Sequence, residues 1–131
     1  MVGCGKRREL SGEVLKYGIR VTDDMRLSDG VRRVLSLDNC NRVQQTKVAK
    51  QRAIEKAQER VGDTGSPEVQ IAALSVTINA LAEHVSTDHH KDFAAKRSHT
   101  VLVARRRKML QYLKRKDFER YAKVVREQGL R

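Results

Sequence analysis

Ser66-Pro67-Glu68-Val69-Gln70-Ile71-Ala72-Ala73-Leu74-Ser75-Val76-Thr77-Ile78-Asn79-Ala80-Leu81-Ala82-Glu83-His84-Val85 is the stretch that decides the fold. It opens as helices open. Ser66 offers a hydroxyl to free amides, Pro67 fits the first helical position, and Glu68 complements the positive end of the dipole. Ile71, Leu74, Ile78, Leu81 and Val85 follow at spacings of three, four, three and four. Apolar residues at those spacings form a narrow seam on one face of a helix, which is expected to end near Ser86.

Working outward, the chain keeps the helical period. Ala, Lys, Gln, Glu and Arg dominate Lys47 to Arg60, a helix-forming composition, and Val61-Gly62-Asp63-Thr64-Gly65 breaks it. Beyond the seam, Thr87 to Asp92 reads as a polar joint. A long helix is expected over Phe93 to Lys116, with Val101, Leu102, Val103, Met109, Leu110 and Leu113 as its apolar positions. Asp117 can cap a last helix, Phe118 to Gln128, with Tyr121, Val124 and Val125 inward and Gly129 as terminator. The expected fold is all-α, with four helices of which two are long and antiparallel. Residues 1–46 read as a largely irregular N-terminal extension before a helical domain at 47–131. Within the extension, the alternation of Tyr17, Ile19 and Val21 with Gly18, Arg20 and Thr22 fits one short strand. Ser28-Asp29-Gly30 reads as a turn, and Val31, Val34 and Leu35 fit one helical turn.

Composition narrows the function. The 131 residues carry a net charge of +12. From His89 to Arg131 there are 14 basic and 4 acidic residues, net +10, against a net of −2 over Ala49 to Asp88. A polycation of that density attracts a polyanion, of which nucleic acid is the commonest. No apolar run approaches the roughly 20 residues of a spanning helix. An anionic membrane surface is a third class of partner for such a polycation, but no basic helix carries large apolar residues on its opposite face without an obvious core use, so no membrane partner is expected. Tryptophan is absent and proline occurs once, which does not suit a β-sandwich or barrel. Cys4 and Cys40 are too few for a disulfide framework or a zinc site. His84, His89, His90 and His99 show no HExxH spacing, and neither a phosphate loop nor GxSxG occurs. Asp63-Thr64-Gly65 stands alone, whereas an aspartic protease needs a carboxylate pair. Neither an enzyme, a cofactor, a metal nor a small-molecule substrate is expected. Thr64 and Gly65 do suit contact with a phosphate or groove edge, and Gln70 can bond a base or a 2′-hydroxyl.

These residues belong to longer patterns. Gly62-Asp63-Thr64-Gly65-Ser66-Pro67-Glu68-Val69-Gln70 is similar to the "GDTGSxEVQ" motif of the universal small-subunit ribosomal protein family S-fifteen. The resemblance continues in order through Ile78-Asn79, Leu81, Glu83-His84, and His89-His90-Lys91-Asp92, close to the family's "HKKD". It then takes in Arg106-Arg107-Lys108-Met109-Leu110-Gln111-Tyr112-Leu113-Lys114-Arg115-Lys116-Asp117 and Gly129-Leu130-Arg131.

The resemblance implies binding of small-subunit rRNA at a three-way junction of the central domain. It also implies support of subunit assembly beside neighbouring small-subunit proteins, and a share in an intersubunit bridge to large-subunit rRNA. It assigns one surface to Thr64, Gly65, Gln70, Tyr112 and Arg115, facing a minor groove. It assigns a second, at the junction, to His84, His89 and Asp92, where Asp92 is expected to accept hydrogen bonds from RNA or to hold His89 in one tautomer. Arg97 and Lys108 of the basic helix join these as RNA-binding residues, supplying affinity through counterion release.

There are departures. Where the family usually has "DHxSRRGL", this chain has Asp92-Phe93-Ala94-Ala95-Lys96-Arg97-Ser98-His99. Ala95 replaces a serine used at the junction, and Ser98 replaces a glycine. Thr77 stands at a basic or polar family position, and the loop before Asp92 is one residue longer, so His90 is the alternative to His89. The expectation is a cognate junction that is altered or partly covered by other proteins. The extension on a bacterial-type core points to a mitochondrial ribosome, with a plastid or the bacterial cytoplasm as alternatives; Glu9, Glu13, Asp23 and Asp24 argue against a pure transit peptide. A free RNA-binding regulator or helical chaperone is the alternative function, and a helical protein-interaction module a third.

Overall fold

The computed structural model describes residues 15–21, 25–87 and 89–129. Cys4, the acidic residues Glu9, Glu13, Asp23 and Asp24, Thr22 of the alternating stretch, and the terminal Leu130 and Arg131 lie outside them. The protein is all-α: α1 is Asp29–Leu35, α2 Arg42–Ala57, α3 Pro67–Thr87, α4 Phe93–Lys116 and α5 Phe118–Glu127. The chain divides into two units, one through Gln45 and one over Thr46–Arg131, so the division falls within the first turn of α2.

In the first unit, the stretch expected as a strand is a 3-10 turn, Lys16–Gly18, and Arg20 makes only an isolated bridge. Gly18 is the reason. Its φ of 76° lies where residues with a Cβ are strained, and it folds the chain so that Leu15 N donates to Ile19 O at 2.7 Å. α1 is capped by Ser28 Oγ, and a second 3-10 turn, Leu37–Asn39, follows it. Gln45 Nε2 donates to the carbonyls of Leu37 and Cys40 and fixes that turn.

In the second unit, α3 and α4 form the main pair. Their partners run in opposite order: His84 meets Asp92, Ser75 meets Arg106, and Ile71 packs with Leu113. Residue numbers fall along α3 as they rise along α4, so the two helices are antiparallel, as expected. Ile71, Leu113 and Val124 form the buried centre, with Met109, Leu110 and Tyr121 packed around them. Each such aliphatic side chain removed from water contributes about 1.5–3 kcal/mol.

The packed face of α3 differs from the expected seam. Ile71 and Ile78 are buried, but Leu74, Leu81 and Val85 are only half-buried, and Val69, Ala72 and Ser75 are buried instead. Ala72 and Ser75 are small side chains on this buried face. Ser75 is tolerated there because its hydroxyl donates to Ile71 O at 2.9 Å and accepts from Arg106 Nη1 at 3.3 Å.

α2 starts five residues before the expected Lys47, because Asn41 Oδ1 accepts from Gln44 N and serves as its cap. Its end at Ala57 is followed by a turn in which Gly62 takes φ 86°. Asp117 ends α4, donating its N–H to Leu113 O, and caps α5 by accepting from the amides of Glu119 and Arg120. One extended residue therefore both closes the long helix and redirects the chain, which returns Val124 to the core. Arg120 then stands 2.7 Å from Glu68 and 3.4 Å from Glu59, joining the start of α3 to α5.

Candidate nucleic-acid interface

The turn before α3 is built by Asp63. Its Oδ1 accepts from Gly65 N at 3.0 Å and Ser66 N at 3.2 Å, and these amides hold the carboxyl below the ordinary range. Thr64 and Gly65 are left exposed at the tip. A Cβ added at Gly65 would meet nothing nearer than Asp63 Oδ1 at 3.9 Å, an ordinary contact. The fold does not require glycine there. Gln70 Nε2 reaches back to donate to Gly65 O at 3.1 Å, which leaves its own amide oxygen to accept.

Tyr112 and Arg115 flank Leu113, whose partner is Ile71, the neighbour of Gln70. The five residues assigned to the first surface thus lie at the same end of the helical pair. Tyr112 is 43% exposed, and Lys116 Nζ sits 3.4 Å from its hydroxyl and 5.7 Å from its ring centroid.

At the other end the joint is a hydrogen-bonded cluster. Asp92 Oδ1 accepts from Ala95 N at 2.9 Å and caps α4, while Oδ2 lies 3.4 Å from His84 Nε2. The Ala95 amide first, and His84 second, hold the Asp92 carboxyl below its usual range. An ionised carboxylate only accepts, so the proton between the pair sits on His84 Nε2. His89 N donates to His84 O at 3.3 Å, and the two ring centroids lie 4.5 Å apart with the rings tilted by 40°. The structure therefore brings His84, His89 and Asp92 together, but corrects one expectation: Asp92 orients His84, not His89. His90 turns away, its Nδ1 lying 3.0 Å from Val85 O. Thr87, His89, His90, Lys91 and Asp92 line an open pocket of about 370 Å³ beside the cluster.

Three of the departures have places here. Ala95 gives its amide to the cap, so the backbone contribution survives loss of the serine hydroxyl. Thr77 Oγ1 is bonded to Ala73 O at 3.1 Å within α3, and Ser98 is exposed on α4.

α4 carries the remaining residues. Each helical residue advances by about 100°, so Phe93, Arg97, Val101, Ala104, Lys108, Tyr112 and Arg115 fall within an arc of roughly 100°. All seven are exposed. Leu102, Arg106, Met109 and Leu113 occupy the opposite face, toward α3. At about 1.5 Å per residue, Asp92 and Tyr112 lie about 30 Å apart along this face. The four α4 residues expected to bind RNA, Arg97, Lys108, Tyr112 and Arg115, are thus in phase with one another and out of phase with the core. Sequence patterning gives Phe93 no role beyond opening the helix. Its phase with Arg97 and Arg115 is the available signal, and its 77% exposure is visible only in the structure.

No group of three or more metal-ligating side chains occurs among the described residues, and no helix of theirs is long and apolar enough to cross a membrane.

Residues 49–131 match the family model described as ribosomal protein S15. The chain is also similar to proteins named small ribosomal subunit protein uS15. That of Carboxydothermus hydrogenoformans is 51% identical over 86 residues, covering 66% of this chain and 96% of the relative. That of Nitratiruptor sp. is 49% identical over 82 residues, 63% of this chain and 91% of the relative. That of Dictyoglomus thermophilum is 48% identical over 86 residues, again 66% and 96%. The aligned part is the helical unit built around α3 and α4, and the chain belongs to the ribosomal protein S15 family.

Proposed function

We propose that the protein is a structural constituent of the small ribosomal subunit, not an enzyme, and that it binds small-subunit rRNA at a three-way junction of the central domain. In this role it supports subunit assembly beside neighbouring small-subunit proteins and contributes to an intersubunit bridge with large-subunit rRNA. The observation that carries the proposal is the exposed face of α4, where Arg97, Lys108, Tyr112 and Arg115 share one side of a helix whose other side is core. At one end of that helix, Thr64, Gly65 and Gln70 offer a small, hydrogen-bonding edge suited to the shallow minor groove of A-form RNA. At the other end, His84, His89 and Asp92 form an ordered polar cluster suited to an irregular junction. Arg and Lys residues supply affinity, and the polar groups supply discrimination.

Co-sedimentation of the protein with small ribosomal subunits in moderate salt tests this reading. Retention on the subunit is expected. Release into the free pool would favour an RNA-binding regulator using the same basic face.

The residues before the matched region support a mitochondrial ribosome as the site of action, since the relatives are matched almost over their whole length by the helical unit alone. Fractionation of cells expressing the full chain separates this from a plastid or bacterial ribosome.

A further inference from the structure

Phe93 is the first residue of α4 and is 77% exposed. A phenyl ring this open gains little from its own fold. Its surroundings are polar and basic. Asp92, tied to His84, precedes it, Lys91 lies two residues before it, and Arg97 stands one turn on along the same face. Lys96 Nζ lies 5.5 Å from the ring centroid. The far end of that face carries the same unit: Tyr112 is exposed, with Lys116 Nζ 5.7 Å from its ring. Two aromatic–lysine pairs therefore bound the basic face of α4, about 28 Å apart at 1.5 Å per residue.

We infer that Phe93, with Lys96 beside it, is a stacking platform for an unpaired nucleobase of the bound RNA, placed next to the His84–His89–Asp92 cluster. This rests on the rRNA reading above. A phenyl ring carries no donor or acceptor, so it cannot read a base edge. Its face can take any base, and such stacking is a common means of holding single-stranded nucleotides. A paired base is already stacked within its helix and gains little from the ring. An unpaired one, as a junction supplies, gains the whole contact. Lys91, Lys96 and Arg97 around the ring complement the phosphates flanking that base, whereas an apolar protein pocket closing over Phe93 would have to strip these charges of water.

The test uses the full chain and a three-way-junction RNA carrying 2-aminopurine at one unpaired position at a time, with a plain duplex as reference. The wild-type protein quenches the probe at one position. Phe93→Ala abolishes that quenching and weakens junction binding on the order of tenfold, with duplex binding unchanged. Phe93→Tyr and Phe93→Trp keep both signals, and Phe93→Leu, apolar but without a ring face, behaves as the alanine variant. The ring is exposed, so the variants are expected to keep the helical circular dichroism of the parent. Junction preference in the wild type with no quenching at any position, or full affinity in Phe93→Leu, would overturn the platform and leave the rRNA reading standing. Equal binding of junction and duplex by the wild type would overturn both.

Discussion

Asp92 serves two residues with its two oxygens: Oδ1 caps α4 through the Ala95 amide and Oδ2 receives His84 Nε2 at 3.4 Å. The same side chain that starts the basic helix therefore sets the histidine at the end of α3. Formation of the joint and orientation of its polar cluster thus rest on one side chain.

That arrangement predicts an acid-sensitive joint. Asp92 and Asp63 both have carboxyls held below their ordinary range, chiefly by the amides of Ala95 and of Gly65 respectively. A depressed folded value stabilises the protein above the unfolded carboxylate value of about 3.9, and the contribution is lost as pH falls through the lower folded value. Thermal midpoints should hold at about pH 5 and drop below about pH 4. Asp92→Asn, which can still cap but carries no charge, should show a shallower drop. An identical slope in the two proteins would remove Asp92 from this account.

Gly65 separates function from fold. Because a Cβ there meets only ordinary contact, Gly65→Ala should leave unfolding free energy within about 0.5 kcal/mol of the parent. RNA affinity should nevertheless fall, since the added methyl stands at the tip offered to the groove. Denaturant unfolding and filter binding on the same preparation check both halves.

Leu113 and Ile71 meet at the centre of the core with Val124. Leu113→Ala should cost about 2–5 kcal/mol, and the double variant with Ile71→Ala should depart from additivity because the two side chains share one site. Chemical denaturation of the four proteins closes the cycle.

The three helix starts Pro67, Phe93 and Phe118 were legible because each is set by local chemistry, Pro67 by its own ring and the others by the aspartates before them. The antiparallel pair followed from two long periodic segments and a short joint. What the sequence did not disclose depended on neighbours. The true face of α3 includes Ala72 and Ser75, which carry no signal in a pattern of large apolar residues. Asp92 is expected to accept hydrogen bonds from RNA or to hold His89, whereas its carboxylate lies beside His84, and His89 bonds to His84 O through its backbone amide. The strand expected around Ile19 counts Gly18 as one of its alternating residues, but the positive φ of Gly18 closes a turn there.

Ser75→Ala removes the buried hydroxyl that Arg106 uses to reach α3. Arg106 is only half-buried, so water can replace the lost acceptor, and the expected loss is about 1 kcal/mol. Junction RNA affinity should not change, because Arg106 lies on the core side of α4. A selective loss of binding would contradict the division of the helix into two faces.

Ala95→Ser restores a hydroxyl at the joint without touching the amide that caps α4. If the cognate junction no longer uses that hydroxyl, affinity for the native RNA should shift by no more than about 0.5 kcal/mol. A large gain, measured by filter binding, would mean that the junction retains the contact.

The most direct measurement is binding of the purified full chain to its small-subunit junction RNA, titrated with salt against a plain duplex of equal length. Both affinities are expected to fall with salt, while a strong preference for the junction survives at moderate salt, carried by the polar groups at the two ends of α4. Equal affinities that vanish together would leave only a polycation and contradict the assignment of Thr64, Gly65, Gln70, His84, His89 and Asp92 to RNA recognition.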